Sequence, residues 1–94
     1  MKYRNYLMTK GVQRNVDFLL VMILFELRET IPVKDYLTII YLKRAGEEKC
    51  LIRIEQEQPE YVMEQEIDYS IGKDEKLYII DDGMNLTCMY PDEY

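Results

Sequence analysis

The sequence predicts an α+β fold in which one N-terminal helix packs on a mostly antiparallel sheet of five to six strands. Three observations lead to this prediction. A single long apolar run, at residues 16–29, lies near the N-terminus. Every later segment has the alternation or the β-branched and aromatic content of a strand, and short turn signals separate these segments. With 94 residues, the chain has room for a single domain, residues 1–94.

In the N-terminal third of the chain, the sequence predicts a strand, a turn and then the helix. Residues 3–8 have the composition of a short strand, and Thr9 to Gly11 follow as a turn. The helix spans residues 16–29, with Asn15 as its N-cap. Residues that precede proline disfavour helical geometry, so Pro32 ends the helix.

Everything after Pro32 predicts β-structure. The segment at 49–57 alternates, with Cys50, Ile52 and Ile54 on one side. Turn residues such as Gln58-Pro59 and Asp82-Gly83 separate the segments. Consecutive strands with short turns predict an antiparallel meander. The predicted strands are residues 36–43, 49–57, 60–68, 76–81 and 86–90.

The predicted helix has two apolar stripes on opposite sides. The first contains Val16, Leu19, Leu20, Ile23, Leu24 and Leu27. The second contains Phe18, Val21, Met22 and Phe25. A helix that is apolar all round must be covered all round, and one sheet covers only one side. The second cover is then another part of this chain, a second copy in a homodimer, or a different partner. We therefore predict that Phe18 and Phe25 lie near an interface.

The charge is unevenly distributed along the chain. The net charge of −6 divides into +3 for residues 1–47, from eight Lys/Arg and five acids, and −9 for residues 48–94, from four Lys/Arg and thirteen acids. An acidic protein repels phosphate backbones, so direct nucleic-acid binding is not expected. Glu64 and Glu66 lie in a dense acidic stretch that either docks a basic protein or forms the solvated side of a half-buried hairpin.

Few residues offer chemistry. The chain has no His, and neither a metal site nor a cofactor site is expected. Asp81 and Asp82 are the best candidates for an enzyme, but Asp-Gly between two strand segments is typical of a hairpin turn. Cys50 and Cys88 lie in apolar runs and are expected to be reduced core residues of a cytoplasmic protein. The apolar run from Phe18 to Phe25 is too short to cross a membrane, which takes about 20 residues.

Several segments together carry a resemblance to a known family. They are TKGV at 9–12, the hydrophobic helix, DYLTIIYL at 35–42, EQEQPEY at 55–61, LYIIDDG at 77–83 and TCMYPDEY at 87–94. With them the chain resembles a family of small uncharacterised proteins, a domain of unknown function from staphylococci and related Gram-positive bacteria. The resemblance implies a bacterial cytosolic protein. It supplies no activity, cofactor or catalytic residue.

The sequence thus favours a non-enzymatic protein–protein interaction module. Its expected contact residues are Phe18, Val21, Met22, Phe25, Glu64 and Glu66, and its expected partner is a protein, with a second copy of the chain as one option. One alternative is an acidic protein that mimics DNA and modulates a host protein. Another is a small enzyme that uses Asp81 and Asp82.

Overall fold

A computed structural model describes residues 5–94, which form one six-stranded sheet with helices on one face. The predicted α+β class is confirmed. The elements are β1 (Asn5–Met8), α1 (Lys10–Asn15), α2 (Phe18–Glu29), β2 (Leu37–Arg44), β3 (Cys50–Glu57), β4 (Glu60–Ile67), β5 (Glu75–Asp81), β6 (Asn85–Met89) and a closing 3₁₀ turn (Pro91–Glu93). The predicted strands after Pro32 agree with β2 to β6 to within one residue at each end. Positions 3 and 4 of the first predicted strand lie outside the described residues.

The strand order is β1-β6-β5-β2-β3-β4. The predicted meander holds from β2 to β4 and again from β5 to β6, but β5 pairs with β2 instead of β4. Residues 68–74 connect β4 to β5. This connection is long enough for the chain to pass both β3 and β2, so that β5 pairs with the edge of β2 that faces away from β3. β1 pairs in parallel with β6, because the helices carry the chain away from β1 before the antiparallel strands begin.

The predicted helix is present as α2, but it begins two residues later than predicted, and the predicted turn before it is a short helix, α1. Thr9 to Gly11, predicted as a turn, begin α1: Thr9 is its N-cap, and the Thr9 hydroxyl accepts from the Val12 N–H. Asn15 ends this helix and does not cap the next one. The N-cap of α2 is Asp17, whose carboxylate accepts from the Leu19 N–H. Aspartate at this position satisfies an unpaired N–H and favours the positive end of the helix dipole.

The buried face of α2 straddles the two predicted stripes. Leu20, Val21, Leu24, Phe25 and Arg28 are buried against the sheet. The prediction that Leu19 belongs to the core was wrong, because its side chain is 65% exposed. A buried hydrogen bond from the Arg28 guanidinium to Thr38 on β2 links the 20/24/28 row to the sheet.

The core lies between α2 and the covered face of the sheet. Cys50 and Cys88 are both buried and free, as expected of reduced core residues. They lie on β3 and β6, which β5 and β2 separate, so the two thiols are not adjacent. Besides these cysteines, the strands contribute Ile40, Leu42, Ile52, Ile54, Leu77, Ile79 and Leu86.

Candidate functional site

The face of the sheet opposite the helices is not covered by α1 or α2. Residues alternate along β2 and β5, with one set buried and the intervening set half-exposed. Residues that pair directly across strands share a face, so the strand register assembles the half-exposed set into one surface. We call this surface the open face.

The open face has an apolar half and an acidic half. The apolar half lies on β1, β6, β5 and β2 and carries Leu7, Leu37, Ile39, Tyr41, Tyr78, Ile80, Thr87 and Met89, together with Asn5, Asn85 and two cations, Lys43 and Lys76. The acidic half lies on β3 and β4 and carries Arg53, Glu55, Glu57, Glu60, Glu64 and Glu66, with Leu51 and Val62 among them. Five carboxylates therefore accompany one guanidinium on β3 and β4, and the Lys49 ammonium lies 3.8 Å from the Glu66 carboxylate at one end of this half.

Ion pairs neutralise only part of the acidic half. The Arg53 guanidinium donates to Glu55 (Nε to Oε2, 2.5 Å) and to Glu64 (Nη1 to Oε2, 2.9 Å), and these two bonds raise the pKa of Arg53. Within residues 5–94, neither Glu57 nor Glu60 has an ion-pair partner. They are direct cross-strand neighbours at the end of the hairpin. Like charges directly opposite each other destabilise a sheet, so this arrangement costs stability.

A cavity of about 570 Å³ lies at the border of the two halves. Ile39 and Val62 contribute its apolar lining, while Glu55, Glu57 and Glu60 contribute carboxylates. Its mixed lining fits a side chain with an apolar stem and a cationic head.

The Gln56 side chain fixes the hairpin that carries this cavity. It is 3% exposed. Its amide donates to the carbonyls of Val33 and Pro59, and its oxygen accepts from the Asp35 N–H. These three bonds tie the backbone of the β3–β4 turn to the loop that precedes β2.

Tyrosines supply most of the aromatic surface on the apolar half. The rings of Tyr78 and Tyr94 meet edge-on with centroids 6.0 Å apart. A hydrogen bond between Tyr36 and Tyr94 raises the pKa of Tyr36. The Lys76 ammonium lies 5.4 Å from the ring centre of Tyr41. Tyrosine is enriched at protein interfaces because it offers rigid area with a polar tip.

The contact residues predicted from sequence do not form one surface. Glu64 and Glu66 lie on the open face, whereas α2 lies on the other side of the sheet. On α2, Val21 and Phe25 are buried within the chain itself, and the ring of Phe25 lies 5.1 Å from that of Tyr6. The first of the three covers considered for the second stripe therefore accounts for these two residues.

Only the N-terminal end of the second stripe stays accessible. Phe18 is 58% exposed and Met22 is half-buried. Leu19 adds to the exposed apolar surface beside Phe18. A role of Phe18 and Met22 in binding a partner remains a prediction.

A second cavity, of about 550 Å³, lies between the α1–α2 junction and the β4–β5 connection. Its polar lining includes Asp17, Tyr69 and Lys73. The Tyr69 hydroxyl donates to the Asp17 carboxylate, and burial together with this bond raises the pKa of Tyr69 to about 12. The same bond, with that from the Leu19 N–H, lowers the pKa of Asp17. Asp17 is also the N-cap of α2, so its carboxylate stabilises the start of that helix.

Asp81 and Asp82 form the turn that their sequence predicts. The Asp82 Oδ1 atom accepts from the N–H groups of Met84 and Asn85, and Asp81 Oδ1 accepts from the Gly83 N–H. Gly83 has a φ of +97°, a conformation that glycine adopts without strain. The carboxylates thus satisfy backbone groups of the β5–β6 turn.

We predict that Asp82→Asn makes the stability of the chain less dependent on pH in acid. The bonds from Asn85 and Met84 lower the pKa of Asp82 below its ordinary value of 3.8. A lowered pKa stabilises the folded state above the unfolded-state value, and that contribution disappears as the pH falls through the folded-state value. Urea unfolding should show the variant less stable at pH 7 and equal to wild type near about pH 2. An equal deficit at both pH values would contradict this role.

Within residues 5–94 no group of three or more Cys, Asp or Glu side chains is placed to hold a metal ion.

Across the same range, no helix has both the length and the apolar character needed to span a bilayer.

Comparisons with known proteins establish the fold and no activity. No protein-family model matches the sequence, and no curated protein matches it. The chain is similar in structure to a crystal structure of a protein of unknown function from Enterococcus faecalis, with a TM-score of 0.86 and 18% sequence identity. The match covers 97% of this chain and 91% of that one. The fold is therefore shared, nearly end to end, with an uncharacterised protein of a Gram-positive bacterium.

Proposed function

We propose that this chain is a protein–protein interaction module and that its docking surface is the open face. The observation that carries the proposal is the opposed pair Glu57 and Glu60, which has no ion-pair partner within residues 5–94 and lies beside an apolar, tyrosine-rich surface. A sheet that served only as a scaffold would gain stability from an opposite charge at either position. Retained repulsion of this kind is typical of a surface selected for binding.

The charge of the open face favours a basic partner over a second copy of the chain. A twofold axis through the middle of the face and across the strands would place acidic half on acidic half. An axis along the strands would place β3 and β4 against β6 and β1, whose open-face side chains, within residues 5–94, carry no cation. A partner with Lys or Arg over the acidic half and apolar side chains over β2 and β5 satisfies both halves.

The same geometry favours protein docking over DNA mimicry. Glu57 and Glu60 lie on adjacent strands, about 4.7–4.9 Å apart in the hydrogen-bonding direction. The two phosphate rows of a DNA duplex flank grooves about 6 and 12 Å wide. Adjacent strands therefore place their carboxylates closer together than the two rows of phosphates. The Arg53 cation also interrupts the acidic surface between Glu55 and Glu64.

We predict that Glu60→Lys weakens docking while it stabilises the chain. The substitution replaces the repulsive pair by an attractive one with Glu57, which is worth about a few tenths of a kcal/mol. Glu48→Lys is the matched control, because it makes the same change in charge in the exposed turn between β2 and β3. Immobilised wild type and both variants would be exposed to a Gram-positive cell lysate at rising salt, and thermal unfolding would be measured in parallel.

The expected result is a set of proteins retained by wild type and by the Glu48→Lys variant, lost with Glu60→Lys, and released as salt screens the charges. Equal retention by the two variants, or retention that salt leaves unchanged, would contradict the proposal. Light scattering on the purified chain adds an independent check, because self-association through the open face would identify a second copy as the partner.

A further inference from the structure

We infer that the free edge of β4 is where the partner is bound, and that it binds an extended segment in which Lys or Arg alternates with apolar residues. The segment would add a seventh strand to the sheet. This inference rests on the proposed function and specifies the geometry of the contact. It uses the backbone of β4, whereas the open face uses side chains.

β4 is a long, regular edge strand. It is the last strand in the order, and its eight residues pair one-to-one with β3 from Glu57↔Glu60 to Cys50↔Ile67, with no bulge and no internal proline. Such a strand leaves alternate N–H and C=O groups unpaired along its outer side. A two-residue turn makes Glu57 and Glu60 the bonded closing pair, so the alternation directs the N–H groups of Met63 and Gln65 outward.

The side chains of β4 define the chemistry of the added strand. On the open face, Glu60, Glu64 and Glu66 are all exposed. Glu64 pairs with Arg53 and Glu66 with Lys49, whereas Glu60 has no ion-pair partner within residues 5–94. A neighbouring strand would place its own side chains about 4.5–5.5 Å from these carboxylates, where Lys or Arg is favoured.

The other side of β4 calls for apolar residues. Tyr61, Met63 and Ile67 pack against the margin of the core but stay only partly buried, and Gln65 on the same side is exposed. Alternate residues of an added strand would cover them and extend the core by one strand. The two requirements together specify the alternating basic and apolar pattern.

The same side chains disfavour a second copy on this edge. Two β4 strands paired antiparallel about a twofold axis perpendicular to the sheet keep their open faces on the same side. A register centred on Glu64 places the two copies of Glu64 opposite each other. A register centred one residue earlier places Glu60 of each copy opposite Glu66 of the other. Every such pairing near the strand centre brings carboxylates together, so the edge repels its own copy and accepts a basic segment.

The test uses a capped synthetic peptide of eight residues in which Lys and Val alternate. Amide hydrogen exchange of the whole chain would be followed by NMR with and without the peptide. At a peptide concentration of ten times Kd, exchange of the outward amides of Met63 and Gln65 should slow by about tenfold, because only the free fraction exchanges. The inward amides of Val62 and Glu64 already bond to β3 and serve as the internal control.

Two control peptides separate strand addition from simple charge attraction. One has the same composition with all Lys before all Val, and the other is N-methylated at every residue, so that neither of its edges can donate a backbone N–H. Neither should protect Met63 or Gln65. The inference is overturned if the alternating peptide fails to bind, if it binds without slowing these two amides, or if a control peptide protects them equally. Binding that perturbs only Tyr41 and Tyr78 would overturn the edge site and leave docking on the open face standing.

Discussion

Phe25→Ala should lower the free energy of unfolding by about 3–5 kcal/mol, whereas Phe18→Ala should change it by less than about 1 kcal/mol. Both residues belong to the apolar stripe that the sequence places on the second side of α2. Phe25 is 2% exposed and lies against Tyr6, so its removal leaves a cavity between α2 and β1. Phe18 is 58% exposed and loses little on truncation.

Urea unfolding followed by far-UV circular dichroism measures both free energies, and each variant is the other's control. A loss of stability for Phe18→Ala that matched the loss for Phe25→Ala would mean that a second subunit covers the helix in solution. Repetition of the measurement at tenfold lower protein concentration would then show a lower midpoint, because the stability of a dimer depends on concentration. A charge introduced at position 25 is a poor test of assembly, because it would unfold the monomer first.

Arg28→Met should cost about 3 kcal/mol, toward the lower end of what the loss of one partner of a buried ion pair costs. Arg28 is fully buried. Its Nε donates to Thr38 Oγ1 at 3.0 Å, and its Nη2 donates to the Asp35 carbonyl at 2.9 Å and to Asp81 Oδ2 at 3.4 Å. The Thr38 hydroxyl now accepts a hydrogen bond from Arg28, and the substitution would remove this donor from a buried position. Methionine would fill most of the volume of the lost arginine side chain.

Arg44→Met is the matched control for this second prediction. Arg44 is exposed at the end of β2, and its loss should change the stability by less than about 0.5 kcal/mol. A thermal or urea midpoint for Arg28→Met equal to that of Arg44→Met would mean that water replaces the lost contacts. Since a domain of this size is stable by about 5–15 kcal/mol, the expected loss is a large share of the total.

Arg28 also explains why the helix prediction was only partly right. Periodicity placed the core face on the first stripe, of which Leu20 and Leu24 are buried and Leu19 is exposed. The buried face also takes in Arg28, which the apolar pattern had left out. No apolar pattern identifies a buried arginine, because its burial depends on acceptors that β2 and the loop before it supply from elsewhere in the sequence.

The sequence of β2 already indicates the open face. The segment 36–43 is apolar on both of its alternating sets, with Ile39 and Tyr41 on one side and Ile40 and Leu42 on the other. A strand with this pattern needs cover on both faces or exposes one of them. An apolar surface in need of a cover is therefore a feature of β2 as well as of α2.

The sequence by itself determined the strands after Pro32, the Asp82-Gly83 turn and the alternation that places Glu64 and Glu66 on the outside of a hairpin, because these features depend on residues close together in the chain. Only the tertiary structure decided which side of α2 is buried, that β5 pairs with β2, and that β4 forms an edge. Each of these depends on contacts between residues far apart in the sequence, such as Arg28 with Thr38 and Phe25 with Tyr6. Local patterns carry no information on which distant segment supplies the other half of a contact.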